Sequence, residues 1–319
     1  MTYPRSHLID PDGGTYHVCS RCVRRAFLFG TDELTGKDFS HRRDWIENRI
    51  LALSEVFTVS VYAYAVMSNH YHIVLRMNAV NMSDEEVADR WLKLCPGRKV
   101  DNRAANIQIV RKAALLNDEP RLAEIRSRLS SLSWFMRFIN EPLARLANKE
   151  DFCKGRFWEG RFQSQALLDE ASVLACMVYV DLNPVRAGIA DDLEDSECTS
   201  VKRRCNKQSE QELVGAINPT SLNKNSFSEM SLYDYMNLIR WTAVHQSYMR
   251  RSIQYDVSRC LKKNHTNAAH WFTDHLPLKD TWQRAMGSAQ SLTEYAIKIQ
   301  QRWIRRRSSV VRSIPSHLC

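Results

Sequence analysis

Glycine and proline are scarce in this 319-residue sequence, at 10 and 9 residues, which excludes a long low-complexity or disordered tract. Long hydrophobic runs are also missing. No stretch approaches the roughly 20 apolar residues that span a bilayer, so no membrane partner is expected. The N-terminal MTYPRSHLIDPDGG lacks the apolar core of a signal peptide, and the expected location is cytoplasmic. A disulfide framework is absent as well: the nine cysteines are odd in number and scattered, as expected for reduced thiols. Cys19-Ser-Arg-Cys22 is a lone CxxC without a second pair, and reads as structural rather than as a zinc or redox site.

What remains is globular composition, 44% hydrophobic and 25% charged, in a chain longer than one core usually holds, so two parts are expected. The net charge of +9 is unevenly spread. From Ser200 onward there are 19 Lys and Arg against 8 Asp and Glu, +11, leaving 26 against 28, −2, in the first 199 residues. A basic C-terminal part suits a polyanion, because each neutralised phosphate releases counterions; a solvated basic surface has the same signature.

Periodicity outlines the order of elements. TYHVCSRC (15–22) reads as a first strand, AFLF (26–29) as a short apolar run, and a helix begins near Ser40 with Trp45, Ile46, Ile50 and Leu53 on one face. FTVSVYAYAVM (57–67) alternates strictly, with Phe57, Val59, Val61, Ala63, Ala65 and Met67 on one side. Residues 69–77 form the next strand. Residues 78–130 read as a helical insertion, with Ser83 and Glu86 as a capping box. A helix over 132–148 follows, which Pro142 should kink or split. Residues 155–168 are strand-like and aromatic, and a helix runs from Asp169 or Glu170 to Asn183, ahead of Pro184. The acidic string DDLEDSE (191–197) opens a mixed-charge linker, 191–207. The expected domains are therefore 1–190, with its insertion at about 78–130, and a basic helical unit at 208–319. The last helix carries Leu292, Tyr295, Ala296, Ile299 and Trp303 on one face.

VMSNHYHIVLRM (66–77) sets His70 and His72 two residues apart on a strand, which puts both imidazoles on one face with Cβ atoms about 7 Å apart. Two ring nitrogens at that spacing can converge on one ion, although an HxH pair also occurs in strands without metal. On the helix before Pro184, Tyr179 and Asn183 stand four residues apart and share a face. Two imidazoles, one amide oxygen and a phenol would together make a metal site with a nucleophile beside it. Uncharged ligands leave a divalent cation a strong Lewis acid with open positions.

These residues match a known pattern. AVMSNHYH (65–72), FWEGRFQSQALLDE (157–170) and YVDLNPVRAG (179–188) resemble, in order, the motifs of single-tyrosine HUH transposases, in particular the REP-associated tyrosine transposase branch. The resemblance runs from about Gly14 to Ala190 and includes TYHVCSRC as the first strand. It implies an α+β fold, a ferredoxin-like or RRM-like antiparallel sheet with packed helices, here extended by a mainly helical C-terminal part. It implies Mg²⁺ or Mn²⁺ on His70, His72 and Asn183, and Tyr179 as a nucleophile that cleaves and rejoins single-stranded DNA through a 5′-phosphotyrosine. The implied partner is hairpin DNA of REP-like palindromes, and both a homodimer and a monomer stay open. Two positions depart from the pattern: Tyr71 is bulkier than the usual middle residue, and Ser68 stands where Pro is common.

Arg156, Arg161 and Arg186 flank the motifs and are candidates for holding phosphates, as are Arg305, Arg306 and Arg307 with Arg302 in the C-terminal part. Trp158, Phe157 and Phe162 are candidates for stacking on bases, with burial in the core as the alternative. His17, His41, His245, His265, His270, His275 and His317 are expected to be structural or surface residues. Two other functions compete: a non-catalytic DNA-binding repressor on the same fold, and an HUH replication initiator or relaxase with the same chemistry.

Overall fold

A computed structural model gives the structure of the chain and describes residues 13–23, 29–31, 36–78, 82–96, 104–205, 212–217, 226–245, 261, 271, 282–305 and 310–312. It is a mixed α+β architecture around one central, mostly antiparallel sheet. Strand β1 (Gly14–Arg21) leads through helix α1 (His41–Ser54) to β2 (Val59–Val66) and β3 (His70–Met77). Helices α2 (Asp84–Leu94), α3 (Ala104–Leu116), α4 (Glu119–Leu129) and α5 (Leu132–Glu150) follow, then β4 (Gln163–Leu167), α6 (Glu170–Asp181) and the short α7 (Asn183–Arg186). Beyond these lie α8 (Ser200–Cys205), β5 (Leu213–Gly215), β6 (Ser226–Ser231), α9 (Leu232–His245), β7 (Ala285–Met286), α10 (Ala289–Lys298), β8 (Trp303–Arg305) and β9 (Val310–Arg312). The main sheet runs β2-β3-β1-β4-β7, antiparallel except where β7 joins β4 in parallel. The last strand of the sheet therefore comes from the C-terminal part.

The two faces of the sheet build separate cores. Tyr16, Val18, Tyr71, Ile73 and Leu75 pack with Ile46 and Ile50 of α1 and Phe135, Met136, Ile139 and Leu143 of α5. On the other face Ala63, Ala65, Met67, Val74 and Leu167 pack with α6, behind which lie Tyr235, Met236, Leu238 and Ile239 of α9. Helix α6 is apolar nearly all round because it is enclosed on both sides.

Three local expectations change. A bulge between Val61 and Ala63 in β2 breaks the expected alternation. Before it Val59 and Val61 face α1 and α5, and after it Tyr64 and Val66 do, while Tyr62, Ala63, Ala65 and Met67 face α6. The sheet thereby presents two alanines to α6, and the helix can approach closely. Pro142 does not split α5. Its missing N–H would have served the carbonyl of Phe138, and Arg49 Nε donates to that oxygen instead, at 3.1 Å. In 155–168 only Gln163–Leu167 is a strand. The loop before it is tied to the end of β1, where Val23 N–H donates to Phe157 O and Glu159 N–H to Arg21 O, both at 2.9 Å.

Within the stretch read as a linker, α8 packs on β2. Ser200 Oγ bridges to the Tyr64 backbone, and the Val66 N–H donates to Cys198 O at 3.2 Å. Among the described residues no helix is long and apolar enough to cross a membrane.

Candidate active site

The site lies on the α6 face of the sheet. Strand register sets His72 between Cys19 of β1 and Ala65 of β2, and sets His70 opposite Arg21. Period-two alternation then places His17, Cys19, His70 and His72 on this face and Tyr71 on the other. Tyr71 accordingly sits in the α5 core, where its hydroxyl donates to Asn140 Oδ1 at 2.6 Å. Cys19 and Cys22 fall on opposite faces, as three residues along a strand must.

Above these histidines α6 supplies Tyr179. The helix starts at Asp169, whose carboxylate accepts from the Ser172 N–H at 2.8 Å, and it ends at Asp181, two residues short of the expected Asn183. Asn183 and Pro184 instead open the turn of α7. Gly188, at φ +66°, closes it with the Gly188 N–H on Val185 O and the Ile189 N–H on Pro184 O. The run NPVRAG thus turns the chain back at once and leaves Asn183 and Arg186 beside Tyr179. The tyrosine helix is also fixed from behind. Asp181, fully buried, accepts from Arg204 Nη1 at 2.9 Å, from the Tyr235 hydroxyl at 2.7 Å, and from Ser200 Oγ.

The rings meet closely. His70 and His72 have centroids 4.8 Å apart at 90°, and Tyr179 stands edge-on to His72 at 5.8 Å and to His17 at 6.1 Å. The Arg186 guanidinium lies over the Tyr179 ring at 5.3 Å. His70 Nδ1 is engaged by Asn69 Oδ1 at 2.5 Å, which leaves its Nε2 for another partner. His72 Nε2, Asn183 Nδ2 and Arg186 Nη1 are buried without a hydrogen-bond partner, an arrangement proteins rarely tolerate without a ligand or function.

Electrostatics keep the imidazoles neutral. Burial lowers His70 to about 4, helped by Arg21, and lowers His17 to about 4, opposed by Gln165. Burial and the neighbouring His17 and His70 push His72 well below the usual imidazole range. Burial raises the Tyr179 phenol, opposed by the Arg186 charge and by a hydrogen bond with Asn183. The phenol is therefore held protonated at neutral pH.

The expected set of His70, His72, Tyr179, Asn183 and Arg186 is thus brought together. Arg156 and Arg161 are exposed in the loop tied to the end of β1, next to the His70 end of the sheet. Trp158 is not brought to the histidines: it packs on Tyr71 in the opposite core, and its Nε1 donates to Asn140 O at 2.9 Å. Phe157 is buried and Phe162 packs against that same core. Arg305 is described only as backbone of β8, Arg302 is exposed, and Arg306 and Arg307 lie outside the described residues.

Of the two alternatives for His17, structural or surface, the surface one does not hold. The residue is 1% exposed, its Nε2 lies 2.9 Å from His72 Nδ1, and Trp282, from the C-terminal part, covers its other side at 4.8 Å. Only the sheet order makes this visible, because β1 lies between β3 and β4 although 55 residues separate His17 from His72. Gln165, opposite His17 on β4, has the same origin. Among the described residues no three His, Cys, Asp or Glu side chains are grouped to hold a metal ion.

At the level of sequence, no protein-family model and no curated protein matches the chain. One solved structure that it is similar to is that of a REP-associated tyrosine transposase bound to a REP hairpin. The identity is 12% and the TM-score 0.40, over 65% of this chain and 86% of that one. A likeness this distant leaves the functional argument to the side chains.

Proposed function

We propose that this chain is a metal-dependent single-strand DNA endonuclease and strand transferase of the tyrosine transposase kind. The observation that carries the reading is the meeting of Tyr179, on α6, with His70 and His72, on β3, around buried nitrogens that lack partners. The order β1-α1-β2-β3-α5-β4 with strands arranged β2-β3-β1-β4 supports a ferredoxin-like core, and the motifs HYH (70–72) and YVDLNPVRAG (179–188) support the same family.

The donor set fits Mg²⁺ or Mn²⁺. His70 and His72 offer Nε2, both neutral, and Asn183 offers its amide oxygen, since turning the amide over exchanges the orphaned nitrogen for oxygen. A cation bound there would withdraw charge from a scissile phosphate and favour the phenolate. The residues of the chain do the rest. Tyr179 Oη attacks phosphorus as the P–O3′ bond breaks, the phenol proton leaves to solvent, and the departing O3′ takes a proton from solvent to become a 3′-hydroxyl. The 5′-phosphotyrosine retains the bond energy, so a 3′-hydroxyl reverses the step and joins ends without ATP. Arg186, with Nη1 unpaired beside the phenol, holds a phosphate oxygen. Arg156 and Arg161 extend the basic rim, and hairpin DNA is the proposed substrate.

The test is incubation of the full chain with hairpin-bearing single-stranded DNA and Mn²⁺, followed by a denaturing gel. Wild type forms an adduct, EDTA abolishes it, and Tyr179→Phe binds the DNA without forming it. An adduct in Tyr179→Phe, or one indifferent to EDTA, overturns the assignment.

A further inference from the structure

We infer that His17 is a positioning residue, whose ring fixes His72 in the tautomer that presents a bare Nε2 to a divalent cation; the inference rests on the metal reading above. A hydrogen bond between His17 Nε2 and His72 Nδ1, at 2.9 Å, requires a proton on one of the two nitrogens. With that proton on His17, His72 carries its own on Nε2, and this buried atom becomes an N–H donor with no acceptor. It then has no lone pair for a metal. With the proton on His72 Nδ1, Nε2 is a free lone pair, and the unpartnered atom has a chemical use.

The far side of His17 accommodates the second arrangement. When its Nε2 accepts, its Nδ1 must bear the proton, and Gln165 stands directly opposite on β4. Nδ1 makes no well-aligned hydrogen bond, and the neighbouring Gln165 amide carries an oxygen able to accept from it. Water does not compete, because His17 and Gln165 are 1% and 2% exposed and Trp282 lies over the His17 ring at 4.8 Å. Gln165, His17 and His72 thus line up as a relay whose direction is set by the unpartnered His72 Nε2. His17 is not itself a third ligand, since its Nε2 is spent on His72.

Two measurements on the full chain test this. In ¹⁵N-histidine NMR spectra of the metal-free protein, His72 is expected to carry its proton on Nδ1. A proton on His72 Nε2 overturns the inference. In Mn²⁺ titrations followed by electron paramagnetic resonance, His17→Leu is expected to weaken binding about 10- to 100-fold, the usual effect of removing such a partner. His17→Gln, whose amide oxygen can accept from His72 in the same place, is expected to restore most of it, which a purely packing role would not. Thermal unfolding of both variants reports whether the fold is kept, and the wild-type spectrum decides if His17→Leu does not fold. Equal Mn²⁺ affinity in folded His17→Leu and wild type overturns the inference alone, provided His70→Ala with His72→Ala abolishes binding. Absence of Mn²⁺ binding by wild type overturns the metal reading and this inference together.

Discussion

The two faces of the sheet are built from the same strands and do opposite things. On the α1 and α5 side, Val18, Ile73 and Leu75 pack in an apolar core, and the Tyr71 hydroxyl beside them is satisfied by Asn140. On the α6 side, His17, His72 and Gln165 are buried just as deeply, and His72 Nε2, Asn183 Nδ2 and Arg186 Nη1 have no partner. Residues 70 to 72 alternate between the faces within a few ångströms of backbone. Burial of polar groups without partners lowers stability, so both faces carry a core, and the α6 face also holds a cluster of polar groups that costs stability.

Substitutions on the two faces should therefore separate stability from chemistry. The largest effect is expected for His70→Ala with His72→Ala: loss of cation assistance, worth several kcal/mol, cuts adduct formation at least about 10³-fold. The unfolding temperature should change far less than the activity, because the substitutions remove the unpartnered His72 Nε2 together with the bonds of His70 to Asn69 and of His72 to His17. A fall in unfolding temperature matching the loss of activity would erase the contrast. On the opposite face, Phe135→Ala, at a fully buried position, should cost about 3–5 kcal/mol in urea unfolding. Protein that remains folded should keep its Mn²⁺ affinity.

Acid sharpens the same contrast. His17 and His70 titrate near 4 in the folded chain against about 6.5 when unfolded. Their folded values are depressed, so the unfolded state takes up protons first as pH falls. Stability is full above about pH 6.5 and declines toward pH 4, by up to about 3 kcal/mol for a group as buried as His17. Urea midpoints of the metal-free protein across that window should fall, and His17→Leu should flatten the decline. The smallest effect is expected for Tyr71→Phe, which removes the hydrogen bond to Asn140 for about 1 kcal/mol and leaves adduct yield unchanged.

Much of this division was legible in the sequence. Period two separated His70 and His72 from Tyr71, and the i, i+4 spacing aligned Tyr179 with Asn183. What escaped depended on which strands become neighbours. His17 looked ordinary because nothing in TYHVCSRC tells that β1 will lie between β3 and β4. The bulge at Tyr62 reversed the second half of β2 because the alternation of FTVSVYAYAVM is equally satisfied by either phase when the strand is buried on both faces. Pro142 stayed inside α5 because Arg49, from a different helix, serves the carbonyl it orphans. Trp158 could be read as a base platform or as core, and only the tie of its loop to β1 assigns it to the α5 side.

The most direct test of the account is to digest the DNA-linked protein with trypsin and nuclease and locate the nucleotide by mass spectrometry. A 5′-phosphotyrosine is expected on the peptide containing Tyr179, formed only when Mg²⁺ or Mn²⁺ is present. A nucleotide on any other residue, or no linkage with a hairpin substrate that the protein binds and cuts, would contradict it.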